Sequence, residues 1–244
     1  MENGVAEKKI NGFNKHDKDP MELYLIRISP PCRAVWLYLL QHEIPHILHD
    51  VDFSKHSTKI PEVFKSHSHQ EVPLLRDGEI VVFEGQAILR YLAMKYTNYA
   101  GYGLSLQQQM LSESVISWCF SEVHRVIGYS YIYPQFLDYY SLNTTESNEC
   151  LIEHGLRQVT KLLEVIENRY LMNNKYLTGP RTTIADTSVA TVLVLLEWTN
   201  FNYKMWPKVE AWLTRVKQHH FWDEVHLTHT DFVKDIQRSS LIYD

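Results

Sequence analysis

Residues 21–42 read MELYLIRISPPCRAVWLYLLQH. From Glu22 to Ile28 the side chains are β-prone and predict a strand. Pro30 and Pro31 end it, because proline has no N–H to give to a sheet ladder. The same residues suit the first turn of a helix, where a missing N–H costs nothing and φ is already set. The run CRAVWLYLLQH then continues with helical spacing. Ser29 is left standing at the handover from strand to helix. PHILHDVDF, residues 45–53, alternates well enough to predict a second strand, which makes the first fifty residues a β-α-β unit behind a polar leader.

A histidine-rich polar segment runs on to Gln70. VPLL and EIVVF are short strands, and the RDG between them is a strong hairpin signal. EGQAILRYLAMKY, residues 84–96, reads as an amphipathic helix. After Ala100 no strand alternation appears. SLQQQMLSESVISWCFSEVHRVI, ECLIEHGLRQVTKLLEVIENRYL, IADTSVATVLVLLEWT and KVEAWLTRVKQ all carry the 3.6-residue period. The expected organisation is a polar, disordered extension over 1–20 and an α/β domain over 21–98. A short Gly- and Tyr-containing link over 99–104 then leads to an all-helical domain over 105–244.

Composition narrows the function. Hydrophobic residues make up 45% of the 244, which suits a folded chain with a real core. A net charge of −5 with no long basic run argues against nucleic acid as a partner. No apolar stretch is long enough to span a bilayer, and the leader lacks the apolar heart of a signal peptide, so no membrane partner is expected. Three cysteines, Cys32, Cys119 and Cys150, form neither a disulfide framework nor a metal pattern and suggest free thiols in a cytoplasmic setting. The histidines His42, His46, His49, His56, His67 and His69 have no zinc-like spacing and no cysteine beside them, so no metal is expected. In TGPRTTIAD, Thr183 precedes Asp186 by three positions ahead of an apolar run. That is a capping box, so Asp186 is a structural carboxylate.

LYLIRISPPCRAVW, EVPLLRDGEIVVFEGQAILRYLAMKY, YLTGPRTTIADTSVA and FWDEVH, taken together and in order, resemble the cytosolic glutathione transferases, theta class in particular. The likeness spans roughly residues 21–235. It implies a thioredoxin-like N-terminal domain that binds glutathione and a helical C-terminal domain that shapes a pocket for a second, apolar and electrophilic substrate. It also implies a transferase, able to reduce organic peroxides too, that works as a homodimer with glutathione as co-substrate and without a metal.

The resemblance assigns Ser29 as the catalytic hydroxyl. A helix N-terminus stabilises an anion, and a hydroxyl there can donate to a thiolate. Lowering a thiol from about 8.5 by about two units requires only about 2.7 kcal/mol of preference for the anion. The bland alternative is that Ser29 caps the helix, as serine often does. Tyr24 is the runner-up, because other classes use a tyrosine on the first strand. Cys32 keeps the second cysteine of a glutaredoxin-like Cys-x-x-Cys, which opens a thiol–disulfide reading.

For glutathione itself, Pro73 matches the fold's cis-proline, and Val72 before it is expected to pair its backbone with the cysteinyl part. Thr58 and Lys59 fall where theta enzymes hold the glycyl carboxylate. Glu71 stands where relatives carry Lys or Gln, and its charge would repel that carboxylate. Glu84 is expected near the γ-glutamyl amine. Gly85 replaces the usual serine, which removes one hydroxyl donor and leaves room for a bulkier ligand. YSYIYPQFLDYY, residues 129–140, offers aromatic walls for the second pocket. Ser121 and His124 are expected to face the cleft, and Trp222 is expected to close it. The rival to an enzyme is a non-catalytic carrier of a hydrophobic ligand on the same fold, which Glu71 and Gly85 favour.

Overall fold

The computed structural model describes residues 20–51 and 71–240. The expectations for the leading extension, Thr58 and Lys59 lie outside those residues. Strand β1 (Met21–Leu25) leads into helix α1 (Pro30–Gln41), with Pro30 and Pro31 in its first turn. The strand stops short of the expected Ile28. The Ser29 N–H folds back onto the Ile26 carbonyl at 3.0 Å, so residues 26–29 are a turn and not ladder.

Strand β2 (His46–Asp50) lies parallel to β1, with Met21 opposite His46. β3 (Leu74–Asp77) lies antiparallel on the other side of β1, and β4 (Ile80–Phe83) completes the hairpin. The strand order is β2-β1-β3-β4. Gly78 closes the hairpin at φ 61°, a left-handed conformation that glycine adopts without steric cost. This is the expected thioredoxin-like sheet. Helix α2 (Gly85–Leu92) follows and widens into a π-type turn over Ala93–Thr97. Buried Asp77 anchors that turn to the sheet, accepting from Tyr91 Oη at 2.6 Å, Tyr96 Oη at 2.5 Å and Lys95 Nζ at 2.7 Å.

The chain reverses through Asn98 and Tyr99, at φ 48° and 61°, and then becomes helical. The Ser105 hydroxyl accepts from the Gln108 N–H at 3.3 Å and starts α3 (Leu106–Trp118). That helix runs on through π-type stretches, Cys119–Val123 and Arg125–Ile132, into the short α4 (Tyr133–Phe136). α5 (Thr145–Val165) packs across this stretch at Gly155, where an added Cβ would sit 2.2 Å from the Ser130 carbonyl. α6 (Ile184–Leu193), α7 (Pro207–Lys217) and α8 (Trp222–Ser240) complete the bundle. The main apolar core runs from Leu23 and Val35 in the first half to Val189 and Trp212 in the second, with a small second cluster around Tyr24 and Leu74. Across that joint the buried Arg33 donates from Nη2 to the Thr191 carbonyl at 3.0 Å. Among the described residues no helix is long and apolar enough to cross a membrane, and Cys32, Cys119 and Cys150 are all free thiols.

Candidate functional site

The β1–α1 turn, the loop before β3 and the start of α2 come together opposite the helical stretch that carries His124 and Tyr129. Between them lie two adjoining chambers, of about 200 and 290 Å³. Ser29, Glu71, Val72, His124 and Tyr129 line both. The first chamber is completed by Pro31, Pro73, Phe83, Glu84, Gly85 and Phe120. The second is more aromatic, walled by Tyr133, Tyr140 and Trp198 with Ile26, Ile28, Val51 and Leu137.

Two helix ends meet at the first chamber. α1 begins after Ser29 and α2 after Glu84, so partial positive charge from both dipoles is directed there. Pro30 and Pro31 carry no N–H, so α1 offers fewer amides than most helix ends. The Ser29 side chain makes no capping bond, although Ser29 occupies the cap position with extended backbone (φ −74°, ψ 125°). Ser29 lines the rim between the chambers, with its hydroxyl within reach of the Cys32 thiol behind it. The Val72–Pro73 peptide is cis, as expected from the fold. Glu84 sits at φ 67°, an uncommon conformation for a residue with a Cβ and one that clusters at functional sites.

Contacts bear on the alternatives raised by the sequence. Tyr24 is buried on β1, stacked on His49 at 4.6 Å, and donates its hydroxyl to Glu22 at 3.1 Å. It lines neither chamber. Cys32 is fully buried. Burial pushes its thiol up to about 11, against the opposing pull of the Ile26 amide and the Ser29 hydroxyl. A buried thiol with a raised pKa is a poor nucleophile, which argues against the thiol–disulfide reading. Gly85 does not open room for a ligand: a Cβ there would meet Pro31 Cβ at 3.0 Å and Phe120 at 3.6 Å.

His124 is buried, with Nε2 2.9 Å from the Tyr133 hydroxyl. Burial, helped by the nearby Arg33 charge, pushes its pKa down to about 4, so the imidazole is neutral at neutral pH. Gly128 makes this packing possible, because a Cβ would come within 2.8 Å of the Tyr133 ring and 3.1 Å of His124.

Two expected site residues stand elsewhere. Ser121 is exposed, donates to the Ser117 carbonyl at 2.8 Å and lies in a surface depression beside Gln86 and Arg90. One position separates it from Phe120, which does line the first chamber, and successive side chains on a helix point in different directions. Trp222 is buried at the start of α8 with its ring stacked on His226 at 3.7 Å, and it lines neither chamber. The tryptophan that reaches the second chamber is Trp198, which donates from Nε1 to His229 on α8 at 3.1 Å. It follows the apolar run VLVLL and Glu197, and no local signal there separates a wall residue from core.

Comparisons with known proteins agree with this geometry. The family model described as glutathione S-transferase, N-terminal domain, matches residues 23–99, and the C-terminal domain model matches residues 121–219. Glutathione S-transferase theta-1 of Bos taurus is 30% identical over 203 residues, covering 81% of this chain and 82% of the relative. The Homo sapiens theta-1 protein is 28% identical over 204 residues, with the same two coverages, 81% and 82%. Among solved structures, the apo form of human glutathione-S-transferase T1-1 superposes with a TM-score of 0.73 at 27% identity. It covers 85% of this chain and 88% of its own.

Proposed function

The chain belongs to the glutathione S-transferase family, and from that premise we propose a theta-like transferase in which the Ser29 hydroxyl holds the glutathione sulfur as its thiolate. Glutathione lies in the first chamber, with its cysteinyl backbone on Val72 and its γ-glutamyl group toward Glu84 and Gly85. Thr58 and Lys59 take its glycyl carboxylate. The apolar electrophile, or an organic peroxide, enters the second chamber. A homodimer, the family's usual assembly, is part of this reading.

The observation that carries the proposal is the placing of Ser29. Ser29 makes no capping bond and lines both chambers, so a sulfur held there in place of the Cys32 contact faces the second substrate. The thiol proton passes to solvent and the thiolate remains, favoured by one charge-assisted hydrogen bond and two helix dipoles. The sulfur attacks the electrophilic carbon, and the leaving group departs with its electron pair. Holding both reactants at one rim supplies the rest of the acceleration by proximity.

The test is Ser29→Ala, followed by the ultraviolet absorbance of bound glutathione thiolate across pH. The bound thiol is expected to titrate about two units higher than in the parent protein, with kcat/KM at neutral pH about a hundredfold lower. A variant whose bound thiol titrates as in the parent would remove Ser29 from the mechanism.

A further inference from the structure

We propose that the second chamber selects electrophiles that carry a cationic group, an alkylammonium in particular; this rests on the transferase reading above and specifies its substrate. The argument starts from the rings. Tyr129 stands nearly perpendicular to both Tyr133 (84°, centroids 5.1 Å apart) and Tyr140 (82°, 5.4 Å), and Tyr133 and Tyr140 lie 5.2 Å apart. Trp198 continues the wall 5.9 Å from Tyr133. At these separations the rings pack edge to face and wall one side of the chamber. The faces of such rings carry negative quadrupole potential and attract a cation within about 6 Å.

Charge in the chamber has the same sign. Glu71 lines it, is exposed, and has no hydrogen bond or ion pair among the described residues. Its carboxylate is close enough to act on Tyr129 and Tyr140, whose hydroxyls are raised first by burial and then by neighbouring groups that include Glu71. No Lys or Arg lines the chamber among the described residues. His124 does line it but is neutral; Arg33 does not line it, and its buried charge acts from behind Tyr133 and His124, on the side of the chamber away from Glu71's contacts with Tyr129 and Tyr140. An acid set badly for the glycyl carboxylate of glutathione is set well for an ammonium among tyrosines. The occupant is therefore a compact cation on an apolar, electrophilic body. In the reaction the glutathione thiolate forms a C–S bond, the bond to the leaving group breaks, and that group leaves with the electron pair. The ammonium is untouched.

The test compares isosteres with and without the charge. Binding of 3-(trimethylammonio)phenol and 3-tert-butylphenol is measured by calorimetry in the presence of glutathione. The cation is expected to bind about tenfold more tightly. Glu71→Gln and Tyr140→Leu are each expected to cut that ratio severalfold, while Tyr140→Phe, which keeps the ring, preserves it. Conjugation of 4-(trimethylammonio)benzyl chloride and 4-tert-butylbenzyl chloride, each relative to its uncatalysed rate, is expected to show the same order. Equal or reversed binding of the phenols overturns the cation site, as does a preference that none of the variants changes. Conjugation of both chlorides without such a preference leaves the transferase standing and the cation site refuted. A binding preference with no conjugation of either chloride does the opposite.

Discussion

At position 85 the space over the Cα belongs to Pro31. A serine there, the usual family residue, would press its Cβ against Pro31 Cβ at 3.0 Å. Nine in ten real Cβ contacts are looser, and the proline ring is held at the start of α1, so it yields little. Gly85→Ser is therefore expected to destabilise the protein by about 1–2 kcal/mol in urea unfolding. It is also expected to leave glutathione affinity no better, despite the added hydroxyl. Tighter glutathione binding at unchanged stability would show that Pro31 gives way. The residues whose places depend on backbone were the most legible in the sequence. Val72, Pro73, Ser29 and Glu84 sit at a strand end, a cis bond or a helix start, and these features leave marks in the chain. Ser121 and Trp222 were carried over from the resemblance and line neither chamber, because whether a helical residue reaches a cleft depends on which way its face turns. The π-type stretch over Cys119–Val123 adds residues per turn and rotates that face away from simple 3.6-residue counting.

At the scale of elements, the start of α6 shows how a motif with a local cause was readable and its tertiary reach was not. Asp186 reaches back to the Thr183 N–H at 2.8 Å, as a capping box requires. The same buried carboxylate also accepts from the Leu177 N–H at 2.8 Å, from Trp212 Nε1 at 2.8 Å and from the Thr183 hydroxyl at 3.1 Å. It therefore ties α6 to α7 and to the loop before α6. Burial raises its pKa, and these donors pull it back. Removing the carboxylate strands several buried donors at once. Asp186→Ala is expected to cost about 3–4 kcal/mol of unfolding free energy, more than an ordinary cap. Measured against Thr144→Ala, which removes the exposed cap of α5, the Asp186 variant should lose at least twice as much. Equal losses would mean that the two distant donors find other partners. The strand pattern was legible for a similar reason: RDG dictates its turn and the prolines dictate theirs. The end of β1 at Leu25 was not, because the turn is set by one backbone bond, Ser29 N–H to Ile26 O.

The whole molecule has an interior built around a fixed cation. Arg33 is fully buried, and its Nε and Nη1 have no hydrogen-bond partner. Around it lie three buried histidines, His124, His226 and His229. Burial first, and the Arg33 charge second, hold all three below the ordinary imidazole value: His124 to about 4 and the other two further down. The hydrogen bonds agree for His229, whose Nε2 accepts from Trp198 Nε1 and cannot hold a proton while it does so. In the unfolded chain each imidazole takes up its proton near pH 6.5, whereas in the folded chain it stays neutral to about pH 4 or below. Between those values the unfolded state binds more protons, so stability is complete above pH 6.5 and falls as pH is lowered. Each histidine removes up to about 1.4 kcal/mol per pH unit in that window, and about 2 kcal/mol from pH 7 to pH 5. Three together would consume much of the roughly 5–15 kcal/mol that holds a protein folded. This loss precedes the acid titration of carboxylates such as Glu22 and Asp77, whose pKa values lie below their ordinary ones. His226→Phe isolates the effect. That ring stacks on Trp222, its Nε2 is unpartnered, and its Nδ1 bonds only the Trp222 carbonyl, so a phenyl ring can take its place. Urea unfolding at intervals from pH 4.5 to pH 7 is expected to show a steep loss for the parent and a slope shallower by about one proton for the variant. Parallel curves would mean that His226 is protonated in the folded protein and that the Arg33 interior tolerates a second charge.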